Sequence, residues 1–239
     1  MQKIISSYKD LDEHKCLLFI VMLYVVITTV PSLFLYRLIE IGPFIFPGGM
    51  FIYPLIYVLG DVLAEVYGYK IARAVIWYSL ICNFIFAFAI LSIIFLPYPK
   101  GYSDIYEKYL FVFQHILRGD FANLAGVLAG SFLNIYILTK WKVLVNGRIF
   151  VIRSFISSAF SEFIMLAIWV NIAFPGRLHD PQIQNLALSD YAIRLIYALV
   201  FSILAAGIVK LIKKIDQIDI FDTGTNFNPF SLSLKDKES

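Results

Sequence analysis

Residues 47–73 read PGGMFIYPLIYVLGDVLAEVYGYKIAR. This stretch is apolar enough to enter a bilayer, yet its second half carries Asp61 and Glu65. A spacing of four puts the two carboxylates on one face of a helix. Each costs about 2.5–3.5 kcal/mol at mid-membrane, whereas each Leu, Ile, Phe or Val contributes only about 0.3–0.6 kcal/mol in the other direction. Facing lipid, such a helix would be marginal. It becomes tolerable when the charged face looks into a helix bundle, where partners, water or a ligand can meet it.

The rest of the chain supplies that bundle. Of 239 residues, 60% are hydrophobic and 15% charged, and the mean hydropathy is +0.78. A soluble globular domain does not have this composition. Six stretches, near 16–38, 47–68, 71–96, 116–139, 149–174 and 189–212, are about as long as the roughly 20 residues a membrane helix needs. Barrel strands would instead alternate over about 10 residues. The expected fold is therefore all-α, a polytopic membrane protein of six transmembrane helices spanning 16–212. A short segment, 1–15, precedes it, and a polar tail, 213–239, follows, expected to be poorly ordered from Asp216. The first apolar run is too long for a signal-peptide core and reads as a retained helix.

Orientation follows from Lys and Arg. With both ends and the even-numbered loops on one side, that side collects 14 of the 20 basic residues. The positive-inside rule then puts both termini in the cytoplasm. Six spans also divide as three plus three with antiparallel halves, the layout of an inverted repeat. Helices 2 and 5 then correspond, and both carry mid-membrane carboxylates.

Along the chain, Thr28, Thr29 and Pro31 predict a kink in helix 1, and the tyrosines of the 97–115 connection predict an interfacial aromatic belt, with part of a lid as the alternative. Helix 4 has a stripe of Ala122, Gly126, Gly130 and Asn134. Its glycines read as close helix packing. For Asn134, an interhelical hydrogen bond and a ligand contact are equally open. Helix 5 has Ser154, Ser158 and Ser161 on one face with Glu162 beside them, and Asp190 and Arg194 form an i,i+4 pair at the start of helix 6.

Several chemistries find no support. The chain has no HExxH, P-loop, GxSxG or CxxC. His14, His115 and His179 are far apart in sequence and suggest no metal site. No cofactor is expected, and no basic cluster points to nucleic acid. Cys16 and Cys82 lie in predicted spans and form no disulfide framework. What remains is a polar cavity built from Asp61, Glu65, Asn134 and Glu162, with Tyr53 and Tyr57 above Asp61 on its helix face. One reading is a structural network neutralised by Arg153 or another cation. The other is a substrate or proton site, since ionisable groups inside a membrane mark function.

The run 46–73, with its Pro47-Gly48-Gly49 entry and Asp61-x-x-x-Glu65-x-Tyr67-Gly68, resembles the signature of the queuosine precursor transporter family, also described as the vitamin uptake transporter group. The resemblance covers roughly 45–210. It implies a carrier without enzymatic activity in a bacterial inner membrane, importing 7-deazaguanine bases such as 7-cyano-7-deazaguanine, with a homodimer left open. Asp61, Glu65, Tyr67 and Gly68 match the motif. Where many members show SQLxD, this chain has Ser131-Phe132-Leu133-Asn134 and Ser161-Glu162-Phe163-Ile164, which leaves the cargo open. A guanine-like base presents adjacent N–H donors that suit an ionised carboxylate, and tyrosine rings suit its flat faces. Two carboxylates this close repel, and a shared proton relieves them, which makes Asp61 and Glu65 candidates for proton coupling. The rivals are a membrane subunit of an ATPase-driven vitamin importer, a carrier of another heterocycle, an intramembrane enzyme and a purely structural bundle.

Overall fold

The computed structural model describes residues 15–34, 37–42, 44–113, 116–173 and 181–231. The three histidines lie outside the described residues. Helix α1 is Lys15–Leu33, without a charge after its first residue. It exposes Leu18, Phe19, Met22 and Val26 and buries Ile20 and Tyr24, the asymmetry of a helix with lipid on one side and protein on the other. The Thr28 and Thr29 hydroxyls donate to the Val25 carbonyl at 2.9 and 2.8 Å. Pro31, expected as a kink, falls in the final turn, close to where the helix ends.

The chain then departs from the expected second span. Leu38–Ile41 (β1) and Phe44–Pro47 (β2) form an antiparallel hairpin with Leu38 opposite Pro47, and Gly48–Phe51 make a 3-10 turn. Gly42 supplies the left-handed backbone of its turn at φ 59°. Two glycines after a proline are poor helix formers, so the helix starts only at Tyr53, with Pro54 in its first turn. Gly49 also lies so close to α1 that a Cβ there would stand 3.1 Å from the Pro31 carbonyl oxygen.

Helix α2, Tyr53–Ile94, contains the second and third expected spans and breaks at Gly68, whose φ is 81° and ψ 171°. The break is a reversal. Gly60 lies against Tyr24, from which a Cβ there would stand 4.0 Å, and the Thr29 hydroxyl oxygen lies 2.5 Å from Asn83 Oδ1. In a straight helix Gly60 and Asn83 would be about 35 Å apart, but residues 24 and 29 are only about 7 Å apart along α1. The two arms therefore run antiparallel beside α1. Helices α3 (Ser103–Phe113), α4 (Ile116–Leu144), α5 (Phe150–Ala173) and α6 (Pro181–Asp216) complete the chain. Among the described residues, Lys15–Leu33, Tyr53–Ile94, Phe150–Ile168 and Ala187–Asp216 are long and apolar enough to cross a membrane.

The first arm of α2 is the axis of the molecule. Val62, Leu63, Ala64 and Val66 are all fully buried, so this arm is enclosed by protein on every side. The lipid-type surface lies elsewhere, on residues such as Ile81, Ile85 and Phe88 of the second arm and Ile196, Leu199 and Ile203 of α6. An enclosed arm can carry Asp61 and Glu65.

The expectation of a loose tail is corrected. Residues 217–231 lie on the reversal itself. The Ile220 N–H donates to the Val66 carbonyl at 3.0 Å, and Asp222 accepts from the Tyr69 N–H at 2.9 Å. These are backbone groups that a broken helix leaves without intrahelical partners, one from each arm. Arg73 donates to the carbonyls of Asn226 and Asn228, and Trp77 to that of Pro229. Cys16 of α1 lies beside Asp216, so the start of α1 and the end of α6 meet at this end of the bundle, called here the tail end.

Candidate functional site

Between α2, α5 and α6 lies a hollow lined by Tyr57, Asp61, Ser154, Ser158, Glu162 and Arg194, with Pro54, Val58, Ala198, Phe201 and Ser202 completing its wall. It encloses about 270 Å³ of unfilled space, part of it continuous with the outside. The room left for solvent amounts to about one water, so anything larger enters only when the walls part.

Asp61 is the group at its base. Its carboxylate accepts from Asn134 Nδ2 at 2.5 Å and from the Ser154 hydroxyl. The Ser158 hydroxyl donates to Asn134 Oδ1 at 3.4 Å, which turns the amide so that its NH2 faces Asp61. The sequence determines this arrangement locally: Ser154 and Ser158 are one turn apart on α5, and Asn134 ends the small-residue stripe of α4. Among the described residues no cation is in salt-bridge contact with Asp61, although Arg153 is near enough to act on it through space, and both of its hydrogen-bond donors are neutral.

Glu65, one turn toward the tail end, is placed differently. Arg153 Nη1 and Lys213 Nζ each approach its carboxylate to 3.0 Å, and Lys142 Nζ stands at 3.9 Å. It does not line the hollow. Arg153 also donates to the carbonyls of Leu138, Gly147 and Arg148, fastening the α4–α5 turn. Lys142 donates to the Glu65 carbonyl at 2.6 Å, to Asp219 at 2.6 Å and to the Ile220 carbonyl at 2.7 Å, which satisfies all three of its donors.

Glu162 closes the other end of the hollow. Arg194 reaches it at 2.8 Å while also holding Asp190 at 2.9 Å, so the i,i+4 pair read from the sequence is one half of a triad. The Arg194 guanidinium lies over the Tyr53 ring, 5.9 Å from its centroid. Tyr57 lines the wall, and its hydroxyl donates to Met165 Sδ at 3.3 Å. Gly130 makes room for it, since a Cβ there would stand 2.8 Å from that hydroxyl. Gly126 and Gly130 both pack on Met165 of α5.

Of the six residues singled out from the sequence, Asp61, Tyr57 and Glu162 line the hollow, and Asn134 stands behind Asp61. Tyr53 lies against Arg194, and Glu65 belongs to the layer beneath. Lys142, Lys213 and Asp219 escaped sequence reasoning. The lysines sit near helix ends, where they read only as orientation signals, and Asp219 lies in what reads as tail. No group of His, Cys, Asp and Glu suited to a metal occurs among the described residues.

A helical membrane protein that gathers charged and polar side chains around a hollow at the depth of its spans has the build of a transporter. A family model described as "Putative vitamin uptake transporter" matches residues 47–208, well over half of the chain, and the chain belongs to that family. No curated protein and no solved structure gave a match.

Proposed function

We propose that the protein is a secondary carrier in a bacterial inner membrane, with six spans, importing a flat, donor-bearing heterocycle of the 7-deazaguanine class as a queuosine precursor. One observation carries this reading. Asp61 is buried at the base of the hollow with only neutral donors on it, whereas its neighbour Glu65 is matched by three cations. Each carboxylate oxygen keeps a lone pair for a ligand, and two adjacent N–H donors fit that edge. In a site closed to water, such pairing is stronger than in solution, and a cargo lacking the donors leaves the carboxylate unmet. Tyr57 offers a ring to the base, with Tyr53 and Glu162 toward the far end. Asn134 orients Asp61, and Glu65 supports it from below. Asp61 is also the group through which a proton would travel with the cargo, whereas Glu65, expected from the sequence to share that role, is bound by three cations.

The test is uptake of labelled 7-cyano-7-deazaguanine into proteoliposomes holding this chain alone. Accumulation by the wild type and its loss in Asp61→Asn, with folding intact, is the expected result. No uptake without a partner ATPase would place the chain as an importer subunit instead. Uptake indifferent to collapse of the pH gradient would remove the proton from the cycle. A second reading rests on Arg194 in the wall, whose guanidinium suits a carboxylate-bearing vitamin. Competition by such acids, without competition by deazaguanines, would favour it.

A further inference from the structure

The layer beneath Asp61 is held shut from outside the helices. Lys142 of α4 ties the Glu65 carbonyl of α2 to Asp219 and to the Ile220 carbonyl, both in the segment that follows α6. Lys213 of α6 makes the same crossing, reaching Glu65 and Asp219 at 3.0 and 2.9 Å. With Asp219 seated, three cations face two carboxylates. Without it, Lys142, Arg153 and Lys213 face Glu65 alone, and their mutual repulsion in a buried layer favours separation. Asp219 is the solvent-facing member, its side chain 43% exposed while Glu65 is 1% exposed, so it is the one free to leave first. The rest of the segment is held mainly by hydrogen bonds to Val66, Tyr69, Arg73 and Trp77, all on the reversal of α2 or the start of its second arm. Its rings reach across to α4, where Phe227 meets Tyr136 and Lys140 and Phe221 lies against Lys142, so the segment bridges α2 and α4 and its release frees both.

We propose that residues 217–231 are the bolt of a gate on the tail side of the hollow. Seated, they lock Glu65, Lys142, Arg153 and Lys213 together beneath Asp61. Released, they let α4, α5 and α6 part from the first arm of α2 and open the hollow toward the tail end. The proposal rests on reading the hollow as a transport site, but its test needs no cargo.

The reporter is Ser202→Cys, in the full-length chain with Cys16→Ser and Cys82→Ser. Ser202 lines the hollow on α6, and its hydroxyl bonds only the carbonyl of Leu199 in its own helix. Vesicles are sorted by which face exposes a C-terminal tag, and a membrane-impermeant maleimide is added on that face. Labelling at residue 202 is read by peptide mass spectrometry. Asp219→Asn is expected to raise the labelling rate by about tenfold or more, through loss of two charge-assisted contacts. A reducible bis-methanethiosulfonate cross-link between Tyr136→Cys and Phe227→Cys, whose native rings lie 5.4 Å apart, is expected to lower the rate below that of the untethered chain until it is reduced. If Asp219→Asn fails to fold, the tether decides alone. Labelling unchanged by the tether overturns the bolt. Labelling that responds as expected in a protein that takes up no deazaguanine keeps the bolt and rejects the cargo.

Discussion

Arg194 holds two carboxylates at once, and that asymmetry can be measured. Replacing it with Met strands Glu162 in the hollow and frees Asp190, whereas Glu162→Met still leaves Arg194 its i,i+4 partner. Removing one side of a buried pair costs on the order of 3–5 kcal/mol because the other charge stays buried. Arg194→Met is therefore expected to lose about that much in equilibrium unfolding in mixed detergent, and Glu162→Met clearly less. Equal losses would mean that Asp190 contributes nothing. Asp219 gives a pH test. Burial pushes its carboxyl up, but the Lys142 and Lys213 ammonium groups outweigh this and hold it below the ordinary carboxylate range. A lowered acid stabilises the seated segment at any pH above its unfolded value, about 3.9, and the contribution disappears as pH falls through the lower folded value. Trp77 donates to the Pro229 carbonyl, so its fluorescence, with the other two tryptophans replaced by Phe, should stay constant from pH 7 to about 4 and change below. A change centred near neutral pH would assign release to another group. At this scale Asp61 and Glu162 were legible because a carboxylate inside an apolar run has few explanations. The division of labour between Asp61 and Glu65 was not. Spacing places both on one face but cannot say which of them three distant cations will reach.

At the scale of elements, Gly68 decides how the motif stretch ends. Its φ of 81° is one that side chains rarely adopt, and a Cβ there would stand 2.9 Å from Ile220 Cγ2 and 3.3 Å from Asp222 Oδ2. Gly68→Ala therefore combines backbone strain with eviction of the segment that caps both arms. A loss of about 1–3 kcal/mol is expected, with faster hydrogen exchange at Tyr69 and Ile220. Slower or unchanged exchange at both amides would show that the cap does not depend on the glycine. The helices themselves were readable from run length, since nothing but helix satisfies the backbone over twenty apolar residues. The hairpin at 38–47 was not, because a short apolar run next to a span looks like more span. The seating of residues 217–231 was also hidden. Their carbonyls at Asn226, Phe227, Asn228 and Pro229 accept the bonds, and a backbone acceptor leaves no mark in sequence.

Across the whole molecule, charge is arranged by depth. Tyr53, Glu162 and Arg194 lie toward the far end, Asp61 with Asn134 and Ser154 in the middle, and Glu65 with its cations toward the tail end. Tyr53 and Glu65 are twelve residues apart on one arm, about 18 Å. The basic excess belongs to the tail end as well, where Lys142, Arg153, Lys213 and Arg73 join the surface lysines at 70, 140 and 214. Because the start of α1 meets the end of α6 there, the chain between them crosses an even number of times, whichever helices are counted. By the positive-inside rule we propose that the tail end is cytoplasmic. On that orientation, the far-end triad faces incoming cargo, and release of the bolt becomes the step that delivers it. Fluorescent protein fused after residue 239 or before residue 1 should mature in both cases, and alkaline phosphatase at either end should stay inactive. Phosphatase inserted in the 97–102 turn, at the opposite end of the second arm from Gly68, should be active. An active phosphatase at the C-terminus would reverse the orientation, placing the bolt on the side where cargo enters.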